Sequence, residues 1–358
     1  MKSQLKHQNF IDWMKAMGMF LIIFGHVVGN PFNLFNEITQ PAYTKQLGVA
    51  FFVFITGWSL ANDTRPGLRV VFNRLFAIYF YGILFALLLS IIFIFTKNDT
   101  NPSNYLPFFL GINVFFNNFP ANPTTWYIGT YLHLIVFWYL FMQGKVVRKR
   151  HLAIAFIVEN ISRFSLMAIG KDYIAYMLLP NWITIFLLGM YVHKQKDIDT
   201  KTMKVVIFIL AWLCILAGWA FIGSEVIGFN KSFPFRNINM NMTGSLLLTS
   251  FLVSVVYATN TLIFFQIARR LSGNWMVSFF ARNTLIIFIV HMPIVFELSP
   301  FLYRLIETVW IKQTILIITL YFGLAVFSEI LQRFINIKFL SEKAWILFNR
   351  VIASFQRS

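Results

Sequence analysis

The chain has 358 residues, of which 58% are hydrophobic and only 12% charged, with a mean hydropathy of +0.69. A soluble domain with a solvated surface cannot be built from that composition, so it reads as a polytopic membrane protein. The formal charge of +17 does not point to nucleic acid, because the basic residues are scattered through short loops between apolar runs, where they set membrane orientation.

A hydrocarbon core of about 30 Å takes about twenty apolar residues per helix, and runs of that length cover almost the whole chain. The first, residues 10–29, follows Lys2 and Lys6 but shows no small-residue cleavage pattern at Gly29-Asn30-Pro31, so it reads as a retained helix. It carries Lys15 and His26, whose eleven-residue spacing is three turns and puts both on one face, roughly 16 Å apart along the axis. Asp12, Met19 and Ile22 continue the same stripe in steps of three and four. Ionisable groups inside a span are costly and usually mark a pathway or a reaction. A buried imidazole at His26 suits proton abstraction from a hydroxyl, and equally suits hydrogen bonding between packed helices.

The second run, 46–62, leads into Arg65, Arg69 and Arg74 at the start of the third, 74–95. Such a cluster fits a polyphosphate, since Arg binds phosphate oxygens through paired donors, but it also fits topology alone. Asp63 is placed to pair with one of these cations. Residues 106–116 are too short to cross and contain Pro107 and Gly111, so an interfacial or re-entrant segment is expected there. The loops 96–123 and 224–242, rich in Asn, Phe and Pro, suit a neutral polar substrate.

The fourth run, 124–143, opens with Thr124-Thr125-Trp126-Tyr127, where Trp126 is either an interfacial anchor or a stacking platform for a sugar. In the fifth, 151–169, Glu159 and Arg163 stand four apart and are expected to form an internal ion pair. Further spans are expected at 173–192, 203–223, 243–265, 280–298 and 313–333. The seventh holds the single cysteine, Cys214, so no intrachain disulfide is possible. The ninth holds His291 just before Pro293, which loosens the local backbone hydrogen bonding. His291 reads as an acceptor-orienting group, a partner of His26, or a packing residue. The tail Ile337 to Phe355 mixes basic and aromatic residues as an amphipathic helix on the inner membrane surface would.

The expected fold is therefore all-α, a bundle of about ten transmembrane helices with both termini cytoplasmic: one transmembrane domain over 1–335 and a tail over 336–358. Twenty-two of the thirty Lys and Arg residues fall on the cytoplasmic side in that orientation, and seven on the other. No metal-ligand spacing, serine triad elbow or phosphate-cradling glycine loop is present in the sequence.

Taken together, these segments resemble the acyltransferase-3 family of integral-membrane O-acyltransferases. Phe10-Ile11-Asp12-Trp13-Met14-Lys15-Ala16 with Phe24-Gly25-His26 is similar to that family's first-helix signature, a basic residue followed after ten positions by histidine. Phe51-Phe52-Val53-Phe54-Ile55-Thr56-Gly57-Trp58 resembles its second-helix segment, Trp126-Tyr127-Ile128 its Trp-Phe-Leu element, and Val290-His291-Met292-Pro293 its Leu-His-x-Pro element. One segment departs: Asn73-Arg74-Leu75-Phe76-Ala77-Ile78-Tyr79-Phe80 has Ala77 and Phe80 where the family often has a further Arg and a Pro.

The resemblance implies transfer of an acyl group, usually acetyl from acetyl-CoA, to a hydroxyl of an extracytoplasmic glycan or its lipid-linked precursor, at a bacterial cytoplasmic membrane. On this reading His26, with Lys15 and Asp12, is catalytic. Arg65, Arg69 and Arg74 hold the CoA phosphates, and His291 and Trp126 face the acceptor. Direct transfer and an acyl-histidine intermediate both remain open. The rival reading is a proton-coupled transporter or flippase of a lipid-linked sugar or small metabolite, with His26 and His291 as a relay, although no internal symmetry supports it.

Overall fold

A computed structural model describes residues 9–27, 44–61, 63–97, 105–116, 123–194, 205–221 and 242–355, and among these the chain is helical with no strand. Gly29-Asn30-Pro31 and most of the two loops expected to handle substrate lie outside the described residues. The helices are α1 (Asn9–Val27), α2 (Thr44–Leu60), α3 (Gly67–Lys97), α4 (Tyr105–Phe109), α5 (Asn113–Phe116), α6 (Trp126–Phe137), α7 (Lys149–Ala168), α8 (Asp172–Met177), α9 (Ile183–Lys194), α10 (Val205–Phe221), α11 (Met242–Ala268), α12 (Trp275–Leu305), α13 (Val309–Ile318), α14 (Leu324–Phe334) and α15 (Ile337–Phe355). π-helical turns extend α6 through Met142 and join α13 to α14.

Among the described residues six helical stretches are long and apolar enough to cross a membrane: 9–27, 67–96, 149–168, 246–268, 275–302 and 309–334. Each of the ten expected intervals holds helix. The interval 173–192 is not one continuous helix, however. Pro180 lacks an N–H and its ring crowds the preceding turn, so the chain breaks into α8, a short 3₁₀ turn over Leu179–Trp182, and α9. The 106–116 segment forms only α4 and α5, with Gly111 between them at φ +69°, a conformation glycine adopts without strain.

Helix α1 sits inside the bundle, against α2, α11, α12 and α13. Small residues let the central helices approach closely, as they do where lipid offers no hydrophobic drive to association. A Cβ on Gly48 of α2 would run into the carbonyl oxygen of Gly18 in α1. On the other side of α2, Gly57 and Gly189 of α9 lie against the carbonyls of Phe186 and Phe54. α7 shows the matching outward pattern: Ile154, Ile157 and Ile161 are exposed at steps of three and four, while Ala155, Glu159, Arg163 and Met167 are buried. Apolar side chains on the outer face of a bundle suit hydrocarbon surroundings.

The Glu159–Arg163 pair is fully enclosed and extends into a network. The Arg163 guanidinium donates to Glu159 Oε1 (2.5 Å), Asn181 Oδ1 (2.6 Å), the Ser250 carbonyl (2.6 Å) and Ser254 Oγ (2.8 Å). Glu159 also accepts from Ser254 Oγ at 2.6 Å and from the Thr184 N–H at 3.2 Å. The break at Pro180 thus delivers Asn181 to a buried charge, and α7, α9 and α11 are tied through one set of donors. The tail helix α15 packs on the start of α3: Arg69 pairs with Glu342, its guanidinium lies 4.7 Å from the Trp345 ring, and Phe72 meets Trp345 and Phe348.

Candidate active site

Two features of the bundle concern chemistry. The first is the contact of His26 and His291, whose ring centroids are 5.1 Å apart although the residues are separated by 265 positions. His26 comes from the last turn of α1 and is half-buried; His291, in α12, is 1% exposed. Nδ1 of His291 lies 2.7 Å from the Phe288 carbonyl oxygen. A carbonyl only accepts, so Nδ1 carries the proton and Nε2 presents a lone pair. That Nε2 is buried with no hydrogen-bond partner, an arrangement that is costly to leave unmade and common at reactive sites.

Local backbone chemistry fixes this histidine. Pro293 has no N–H, which leaves the carbonyl of Ile289 without its helical donor. The Thr124 hydroxyl takes that place, donating to the Ile289 oxygen at 3.1 Å. The proline therefore joins the entry to α6 directly to the turn of α12 that carries His291, and the helix continues through it.

The second feature is a cavity of about 350 Å³ bounded by α1, α2, α3, α6 and α12. Its polar lining comprises Lys15, Thr56, Ser59, Arg74, Tyr127, Tyr131 and Thr284; the rest is apolar, including Phe52, Ile78 and Phe288. Arg74 donates to Ser59 Oγ at 2.9 Å, and Ser59 Oγ donates to the Thr56 carbonyl at 2.9 Å, so the guanidinium is held at the cavity wall. Neither histidine lines the cavity. Phe288 joins the two features: it lines the cavity, and its ring lies 5.7 Å from that of His291. Tyr127 in turn meets Phe288 edge-on at 5.2 Å.

The expected site residues separate accordingly. Lys15 and Arg74 share the cavity, and His26 and His291 form the pair beyond it. Asp12 accepts a hydrogen bond from Ser278 Oγ at 2.6 Å, tying α1 to α12, and does not line the cavity. Arg65 is engaged by Asp63, through Nε at 2.8 Å and Nη2 at 2.5 Å, and this pairing holds the Asp63 carboxyl below the usual carboxylate range. Arg69 is occupied by Glu342 and Trp345 of α15. Trp126 stacks among Tyr176 (4.9 Å) and Trp182 (6.4 Å), away from the cavity. The sequence reading did not pick out Ser59, Tyr131 or Phe288, and took Tyr127, with Trp126, as an interfacial anchor or part of a sugar-stacking platform. Its signal was available in Tyr127 and Tyr131, four apart on one face of α6.

Comparison with known proteins gives one result. A family model described as an acyltransferase domain matches residues 8–331, which takes in everything from α1 to α14 except its last turn and leaves α15 outside. No curated protein and no solved structure matches significantly.

Proposed function

The chain belongs to the acyltransferase-3 family, and we propose from that premise that it moves an acyl group, acetyl above all, from a cytoplasmic acyl-CoA to a hydroxyl of an extracytoplasmic or lipid-linked glycan. Family and apolar helices together make it a multi-pass membrane acyltransferase; donor, acceptor and sidedness are the proposal. The observation that carries it is the His26–His291 contact standing beyond a cavity whose cations are Lys15 and Arg74.

With the orientation read from the loops, the Lys15 end of α1 faces the cytoplasm and the His26 end lies about 16 Å further across. Arg74 and Lys15 then meet the CoA phosphates, and the pantetheine arm runs up the apolar cavity toward Phe288. His291, its Nδ1 proton committed to Phe288, offers Nε2 to an N–H of His26 in the substrate complex. The other ring nitrogen of His26 takes the proton of the acceptor hydroxyl. The hydroxyl oxygen bonds to the acyl carbon, the carbon–sulfur bond breaks, and the proton passes from His26 to the departing thiolate.

The test is an ester assay. Protein in proteoliposomes receives labelled acetyl-CoA and a glycan extract, and alkali-labile label on glycan is counted. His26→Ala that inserts normally should give none. Equal label from the variant and the parent protein would refute the reading.

A further inference from the structure

Tyr127 is the cavity residue whose chemistry remains unspent. Among the described residues the Tyr127 hydroxyl is a buried polar atom with no hydrogen-bond partner, and it is carried by a residue that lines the cavity. The other polar lining groups differ: Ser59 and Arg74 bond each other, Thr56 donates to the Phe52 carbonyl at 2.7 Å, and Thr284 donates to the Ala281 carbonyl at 3.0 Å. Tyr131, one turn on, has its ring centroid 6.1 Å from that of Tyr127, and no hydrogen bond joins the two. The residue is only 7% exposed, so bulk water does not serve the hydroxyl either.

We propose that the Tyr127 hydroxyl donates a hydrogen bond to the carbonyl oxygen of the acyl donor's thioester and stabilises the charge that develops there. This rests on the acyltransferase reading above and names a further residue for that reaction. A buried phenol at neutral pH is a donor, so its complement is an oxygen without a proton. Position selects which oxygen. The cationic lining of the cavity belongs to Lys15 and Arg74, which suit phosphates, whereas Tyr127 touches Phe288, and Phe288 touches His291. Tyr127 is thus two ring contacts from the histidine pair, where the reacting end of the donor has to arrive. When the acceptor oxygen bonds to the acyl carbon, the carbonyl oxygen becomes an oxyanion. The hydroxyl stabilises it without giving up its proton, and expulsion of the thiolate restores the carbonyl. Donors set in advance at such an oxygen are strong contributors to rate in sites closed to water.

Tyr127→Phe removes one oxygen and leaves the ring packing on Phe288 intact. Because that oxygen has no partner in the protein, the variant should melt at the parent temperature or above it. In proteoliposomes with acetyl-CoA and glycan extract, kcat should fall about 100-fold or more. Binding of acetyl-CoA should weaken several-fold, while binding of CoA itself, which has no acyl carbonyl, should be unchanged. Equal weakening of acetyl-CoA and CoA would place the hydroxyl on the pantetheine arm and overturn the proposal, as would a parent kcat or a lowered melting temperature. His26→Ala assayed beside it separates the two levels. A silent His26→Ala with an unimpaired Tyr127→Phe sinks only the role of Tyr127, whereas a fully active His26→Ala sinks the acyltransferase mechanism beneath it.

Discussion

Replacing Arg163 by Met should be among the most destabilising single changes in the bundle while leaving the chemistry of the folded fraction alone. Arg163 is 1% exposed and Glu159 0%, and the substitution removes four hydrogen bonds of 2.5–2.8 Å. It strands a carboxylate that keeps only Ser254 Oγ and the Thr184 N–H. Breaking one side of a buried pair costs about 3–5 kcal/mol. Spread over an unfolding entropy of about 2.1 cal/mol/K per residue, this corresponds to a fall in melting temperature of roughly 4–7 °C. The double variant Glu159→Gln with Arg163→Met removes the stranded charge and keeps an acceptor oxygen, so it should be more stable than Arg163→Met alone. Thermal unfolding of the detergent-solubilised parent protein, Arg163→Met, Glu159→Gln and the double variant measures all four, and the coupling follows from the cycle. If Arg163→Met melts with the parent protein, or the two changes simply add, the network is not a single buried ionic unit and the argument fails.

Thr124→Val should remove the hydroxyl's hydrogen bond to the Ile289 carbonyl, costing about 0.5–1.5 kcal/mol, and should slow transfer by loosening the turn that holds His291; Thr124→Ser should keep both. Melting and transfer rates on the same preparations check this. Arg74→Gln should raise KM for acyl-CoA severalfold, because Arg74 lines the cavity, whereas Arg65→Gln should hardly change it, because that guanidinium is engaged by Asp63. Steady-state kinetics over acyl-CoA concentration decide the point, and the reverse order would remove the cavity from donor binding. Asp63 titrates below an ordinary carboxyl because of its hydrogen bonds from Arg65, so its contribution to stability is present above the unfolded value of about pH 4 and is lost as pH falls through the lower folded value. Asp63→Asn should flatten the stability profile in that acid range, as read by pH-dependent unfolding, by lowering stability at neutral pH and leaving it unchanged below the folded value.

What could be read from the sequence was whatever depends on spacing within one helix. The eleven-residue interval from Lys15 to His26, the four-residue interval from Glu159 to Arg163 and the amphipathic run after Ile337 each imply a face, and a face follows from 3.6 residues per turn alone. The structure keeps all three relations: Lys15 in the cavity with His26 at the far end of α1, Glu159 on Arg163, and α15 packed by its aromatic side on α3. Which helices meet is a different kind of fact. The His26–His291 contact, the Thr124 bond to the Ile289 carbonyl and the Arg69–Glu342 pair join positions 165 to 273 residues apart, and no periodicity within a helix encodes them. The three arginines illustrate the loss most clearly. As a string, Arg65, Arg69 and Arg74 were interchangeable cations at a helix entrance. In space, Asp63 takes the first by its nearness in the loop, Glu342 and Trp345 take the second from the far end of the chain, and only Arg74, one helical turn deeper, is turned by Ser59 to the cavity wall. A cluster of like charges in a sequence therefore specifies how many counter-charges the fold must supply, and the residues the fold supplies decide which cation remains for a ligand.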